Sequence, residues 1–189
     1  KAHDNGDIHI HDLDFYATGT LTCCQTDPLK LFANGGFNTG HGHLRTPNSI
    51  ASYAALAAII LQANQNEQHG GQSIPNFDYA MAPGVNKSFK KALRSNLEKY
   101  NKYSGKKVDI KIPDDIAYGD NETLKKLKIP ETVIETSNED VEKQTFQAME
   151  GFIHNLNTMH SRAGAQVPFT SINFGTDTTP AGRLVSKNL

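Results

Sequence analysis

Alternation of apolar and polar positions marks the first element of the chain. In DIHIHD, residues 7–12, Ile8 and Ile10 take one side of an extended strand, while Asp7, His9 and His11 take the other. YATGTLTCC, residues 16–24, predicts a second extended segment, with Leu21 and Cys23 on one face and Thr20, Thr22 and Cys24 on the other. VPFTSINFG, residues 167–175, predicts a third strand, in which Thr170, Ile172 and Phe174 oppose Phe169, Ser171 and Asn173. Each strand therefore offers an apolar face for packing and a mixed face that carries polar groups. Strands covered on both sides are normally apolar throughout. A barrel whose lumen holds a reaction site accounts for the departure.

Helical patterning fills much of the rest. NGGFNTGHGHLRTPN, residues 34–48, reads as a loop by its glycines and asparagines. Thr46 as cap and Pro47 at the first helical position predict a helix through SIASYAALAAIILQANQNEQ, stopped by Gly70 and Gly71. Another helix is expected to begin at Ser137, whose S-x-x-D pattern with Asp140 resembles a capping box. It continues through VEKQTFQAMEGFIHNLNTM, with Val141, Phe152 and Leu156 on its buried side. More than half of the Asp, Glu, Lys and Arg residues fall between positions 86 and 143, a pattern of solvated surface helices and loops. The remainder is poor in charge but rich in His, Asn, Gln, Ser, Thr and Gly, which suits a hydrogen-bonding cavity. The chain opens in strand-like sequence and stops at GRLVSKNL without a closing element, so it reads as a piece of something longer.

Composition narrows the functional classes. A length of 189 residues fits one domain with a real core. A net charge of −1 gives no footprint for nucleic acid or for an acidic substrate. Two adjacent cysteines make no disulfide framework, which favours a reducing, cytoplasmic setting. No signal peptide or apolar run of roughly 20 residues predicts a membrane segment.

The candidate chemistry lies on the polar strand faces. By the pleat, Cys24 points with the polar set and Cys23 packs with Leu21 as a small hydrophobe. A thiol at Cys24 can serve as nucleophile, metal ligand, redox partner or hydrogen-atom donor. A nucleophile would want His9 or His11 as base, and the absence of CxxC excludes the usual dithiol motif. A rival reading is a metal-dependent hydrolase. HIH with Asp12 and Asp14 offers two strand ligands, and the HGH of residues 41–43, His154 and His160 are further possibilities. No ExxH or HExxH pattern ties them into one site. A third reading is a dimerisation piece built on the alanine-rich helix, with no site of its own.

NGDIHIHDLDF, TCCQ and HNLNTMHSRAGAQVPFTSINFGTDTTPAGR together resemble the anaerobic (class III) ribonucleoside-triphosphate reductases, over residues 3–83 and about 145–186. The resemblance implies an α/β fold, part of a ten-stranded α/β barrel of the glycyl-radical and ribonucleotide reductase type, with a charged helical middle region. Residues 1–189 would be an N-terminal part of that catalytic barrel. It implies reduction of ribonucleoside triphosphates to deoxyribonucleotides for DNA replication, with formate as reductant. It also implies a homodimer, nucleoside triphosphate effectors and a radical-SAM activating enzyme as partner. The ATP-cone, the finger-loop cysteine, the glycyl radical and a zinc site would belong to other parts of the protein, and this stretch alone would not reduce nucleotides. Counted from HDLD, Cys24 matches the family's strand cysteine, with Cys23 as fallback if the strand carries a bulge. His9 and His11 are then expected at the ribose hydroxyls, with Ser171 and Asn173 as the equivalent residues on the later strand and Arg162 at the triphosphate. Gln62, Gln65 and Gln68 are expected on the effector side.

Overall fold

The computed structural model describes residues 1–10, 13, 23–33, 36–38, 42–66, 68, 70–105, 107–160, 167 and 169–189. Among these, three short strands form one parallel sheet. β1 (Cys24–Gln25) and β5 (Thr170–Ile172) flank β4 (Gln72–Ile74), with Cys24 opposite Gln72 and Gln72 opposite Thr170. β2 (Gly36–Asn38) and β3 (His43–Arg45) pair as an antiparallel hairpin, inside the stretch expected to be loop. The fold is mixed α/β, as expected, but the described residues form no closed barrel.

A one-turn helix, α1 (Pro28–Phe32), starts on Asp27, whose carboxylate accepts the Leu29 and Lys30 N–H groups. α2 (Ile50–Gln65) starts later than the Thr46–Pro47 signal predicts. Ser49 and Ser52 form a reciprocal capping box there, while Thr46 Oγ1 donates to the Phe32 carbonyl, 3.1 Å away. The buried stripe of α2 runs through Ile50, Tyr53, Ala54, Ala57, Ala58 and Leu61, and its small residues let a neighbouring backbone come close. α3 (Phe77–Tyr103) uses that space. A Cβ added at Gly84 would stand 2.9 Å from the Tyr53 ring.

α3 corrects the reading of the charged middle. KSFKKALRSNLEKYNKY is not a solvated helix but one face of a core helix. Ser88, Phe89, Ala92, Leu93, Asn96 and Leu97 recur at helical spacing and are buried, which leaves the lysines outside. α4 (Asn121–Lys126) is a short surface helix anchored by Leu124. α5 (Glu131–Thr158) begins ahead of Ser137, so the S-x-x-D pattern is no cap. Ser137 is fully buried. Its Oγ donates to the Val133 carbonyl at 2.6 Å and accepts from Asn96 Nδ2 at 3.1 Å, while Asp140 accepts from the same amide at 2.9 Å. The two polar residues join α5 to α3. Val141 and Phe152 are buried as expected, and Leu156 packs against the core. Phe77 of α3 meets Phe152 of α5 with ring centroids 4.8 Å apart.

The GRLVSKNL stretch is helical. α6 (Pro180–Asn188) is capped by Thr179, with Pro180 at its first position, and it packs on α3 and α5. Residues 7–10 correct the first expectation, since they form no strand. The chain folds into turns there, with the Asp7 and Ile8 N–H groups donating to the Ala2 carbonyl. Ile8 is exposed rather than packed. The rest of that predicted strand, from His11 to Asp12, lies outside the described residues, as do Asp14, residues 16–22 and His41. No helix of the described residues is long and apolar enough to cross a membrane.

Candidate functional site

Register places the thiols. Cys24, Gln72 and Thr170 lie side by side, so their side chains share the sheet face that carries Ile74 and Ile172. That face turns to the helices, because Gln72 and Ile74 are buried and Gln72 Nε2 donates to the Leu61 carbonyl of α2 at 2.8 Å. Gln25, Ser73 and Ser171 line up on the opposite face, where Gln25 and Ser171 are exposed. The two cysteines therefore part company, but in the opposite sense to the expected packing. Cys23 is exposed, and Cys24 is half-buried against α2. The burial expected for Cys23 does not occur, and Leu21, its expected companion, lies outside the described residues.

A cleft of about 360 Å³ runs across the sheet and takes in both thiols. Ser73, Phe169, Thr170 and Ser171 line it as well, and among the described residues no charged side chain does. Phe169 is largely exposed over Gly71, where an added Cβ would stand 3.2 Å from the ring. Such a wall can hold hydroxyl groups and cover an apolar edge while placing no full charge there.

Behind Cys24 stands a cluster of amides. Cys24 Sγ donates to Gln68 Oε1 at 3.1 Å and accepts from Asn64 Nδ2 at 3.0 Å. Asn64 Nδ2 also reaches Gln68 Oε1 and, at 2.9 Å, Gln72 Oε1. Gln68 Nε2 closes the set on the Gly71 carbonyl at 2.7 Å. Sequence reasoning valued the amide-rich end QANQNEQ but gave it another task. Gln68 and Gln65 are buried, Gln65 Nε2 donates to the Val167 carbonyl at 3.1 Å, and Gln62 Nε2 donates to the Asn155 carbonyl of α5 at 3.3 Å. The three glutamines expected on the effector side each hydrogen-bond to a carbonyl of their own chain. Asn64 and Gln68 come from one short stretch, Asn64 in the last turn of α2 and Gln68 just past its end.

The other expected residues are placed as follows. Ser171 joins the thiols in the cleft. Asn173 lies beyond the lining, its N–H donating to the Ile74 carbonyl and its own carbonyl accepting from Phe77. His9 lies against His3, with ring centroids 5.4 Å apart, and does not reach the cleft. His11 and Arg162 lie outside the described residues. His154 lines a separate groove between α5 and α6. Among the described residues no group of three or more His, Cys, Asp or Glu is placed to hold a metal ion.

One buried carboxylate fixes the far end of β5. Asp78, in the first turn of α3, is fully buried, and its Oδ2 accepts the Gly175 and Asp177 N–H groups, both at 2.8 Å. Burial pushes its pKa up, but the N–H groups of Asp177, Gly175, Tyr79 and Thr176 outweigh that and hold the carboxyl below its ordinary value. The chain leaving β5 is thereby tied to the helix that follows β4.

The sequence matches, over residues 1–189, a family model described as anaerobic ribonucleoside-triphosphate reductase. It is 30% identical over 188 residues to the protein of that name from Enterobacteria phage T4, covering 99% of this chain and 26% of the relative. It is 28% identical over 189 residues to those of Escherichia coli K12 and Salmonella typhimurium LT2, covering the whole of this chain and 22% of each relative. The chain thus spans about a quarter of the length of the curated relatives it matches.

Proposed function

The chain belongs to the anaerobic ribonucleoside-triphosphate reductase family, and from that premise we propose that it forms one wall of the reaction chamber of such an enzyme, with Cys24 as its redox thiol. The observation that carries this is the cleft itself, whose described lining holds both thiols, Thr170, Ser171 and an exposed aromatic ring, and no charged side chain among the described residues. Radical intermediates survive only where water and oxygen are kept away, and neutral hydroxyls orient a ribose without drawing counter-ions into the site.

In this reading Cys24 gives the hydrogen atom of its S–H bond to a carbon radical at C2′ of the substrate, so that S–H breaks and C–H forms. Over the whole reaction the C2′–O bond is replaced by C2′–H, and the hydroxyl leaves as water with one proton. Formate supplies the two electrons and departs as carbon dioxide. A glycyl radical elsewhere in the enzyme supplies the unpaired electron. Ser171 is positioned to hold a ribose hydroxyl, and the Phe169 ring to cover the sugar or base.

The rival hydrolase reading draws on HIHD, and His9 is neither in the cleft nor part of a ligand group among the described residues. The test uses the full-length enzyme, activated without oxygen, with Cys24→Ser and Cys23→Ser made separately. Cys24→Ser is expected to abolish deoxynucleotide formation while the glycyl radical signal still forms, and Cys23→Ser is expected to keep turning over. Turnover by Cys24→Ser would overturn the proposal. Loss in Cys23→Ser alone would move the role to the thiol on the open face.

A further inference from the structure

Asn64 is oversubscribed. Its Nδ2 carries two hydrogens, yet three acceptor atoms converge on it: Cys24 Sγ, Gln68 Oε1 and Gln72 Oε1. Gln68 Oε1 is likewise the target of both the Asn64 amide and the Cys24 S–H. The surplus has a chemical use, because sulfur changes its hydrogen-bonding character when it loses hydrogen. A thiol donates and accepts weakly, whereas a sulfur stripped of its hydrogen can only accept.

We infer that Asn64 and Gln68 form a two-state cradle for Cys24. Gln68 Oε1 takes the S–H of the reduced thiol, and an Asn64 N–H turns to the sulfur once the hydrogen has gone. Gln72 keeps Asn64 from swinging away. Its Oε1 accepts from the amide in both states, while its own Nε2 is fixed on the Leu61 carbonyl. Gln68 is fixed in the same manner on the Gly71 carbonyl. Asn64 and Gln68 act through Cys24 and do not touch substrate, so they are positioning residues. Their neutrality matters, since a charged partner would favour the same form of the sulfur throughout. The inference rests on Cys24 being the thiol that gives up hydrogen.

The experiment uses the full-length enzyme and two variants, Gln68→Met and Asn64→Leu, each close in volume to the residue it replaces. The S–H stretching band of Cys24 is isolated by infrared difference against Cys24→Ser. In the parent enzyme this band should lie low, as for a hydrogen-bonded thiol. Gln68→Met should move it up to the position of an unbonded thiol. Asn64→Leu should leave it low but cut kcat by about fivefold to tenfold with KM unchanged, the rate equivalent of one neutral hydrogen bond. A band that does not move in Gln68→Met would overturn the cradle, as would a loss in Asn64→Leu that falls on KM alone. If Gln68→Met does not fold, the split between kcat and KM in Asn64→Leu decides. Turnover surviving in Cys24→Ser would remove the redox role yet leave the band shift to judge the hydrogen bonding by itself.

Discussion

Asp78→Asn should loosen the segment that carries β5 into α6. The asparagine matches the carboxylate in size, so no cavity opens and the effect isolates hydrogen bonding. In the parent chain Oδ2 accepts from Gly175 and Asp177 at 2.8 Å each, and Oδ1 accepts from Tyr79 at 3.0 Å. An amide can offer its oxygen to only one side. Its NH2 group must then face an N–H donor, whichever way it turns. All three charge-assisted bonds become neutral or are lost, and at least one buried donor is left without a partner, at about 1–3 kcal/mol for each donor so left. We expect a loss of about 2–5 kcal/mol, a large share of the roughly 5–15 kcal/mol that holds a domain folded. The effect should depend on acidity. Because the folded-state pKa is depressed, the carboxylate's contribution is present above the unfolded value near ~3.9 and is lost as pH falls through the lower folded value. Amide exchange over residues 173–179, read by mass spectrometry at neutral pH, gives the local response. Urea midpoints taken from neutral pH down to about pH 3 give the linkage. Exchange protection in Asp78→Asn equal to that of the parent, with the same acid dependence, would refute the assignment.

Three further outcomes can be checked with simple assays. Gly182→Ala should destabilise α6 by about 1–3 kcal/mol despite the better helix former, because the new Cβ would stand within 2.5 Å of the buried Asp177 side chain; thermal unfolding measures it. The Tyr118 hydroxyl is pushed well above the usual phenol range by burial, and then by its 2.9 Å hydrogen bond to the Glu142 carboxylate and that group's charge. Its stabilising contribution is therefore full below about pH 10 and lost as pH rises toward the folded value, and an alkaline absorbance titration of Glu142→Gln should show a phenol ionising earlier. Cys23 should be alkylated by iodoacetamide well before Cys24, since one is exposed and the other hydrogen-bonded under α2; peptide mapping after brief labelling gives the order, and equal rates would contradict the placement.

Local chemistry was legible where a segment specifies its own structure. The alanine-rich helix, the buried side of α5 and the β5 core all follow from spacing alone. Signals that depend on a distant partner were misread. Ser137 and Asp140 carry a capping pattern, yet Asn96 from α3 claims both. The charged residues between positions 87 and 102 suggested a solvated helix because they outnumber the apolar residues, although most of the latter fall on one buried stripe. β4 is three residues long, with Gln72 and Ser73 in it, and offers no apolar run to notice. At the site, the pleat separated the two cysteines but exchanged their exposures. Ser171 and Asn173 were expected on the polar side of their strand, and the parallel register puts Cys24 in line with Gln72 and Thr170, and Ser171 on the other face.

That register has a kinetic side as well. The three strands come from positions 24, 72 and 170, whereas α2, α3 and α5 can meet through shorter connections and bury most of the apolar residues. Contacts distant in sequence form late, because the chain must give up loop entropy before they bring any return. The helices should therefore consolidate first and act as a template on which β5 docks last, bringing Phe169 and Ser171 to the thiols. A folding chain would then pass through a stage in which both cysteines are already displayed but the far wall of the cleft is missing. A thiol reagent would reach Cys24 most readily during that interval.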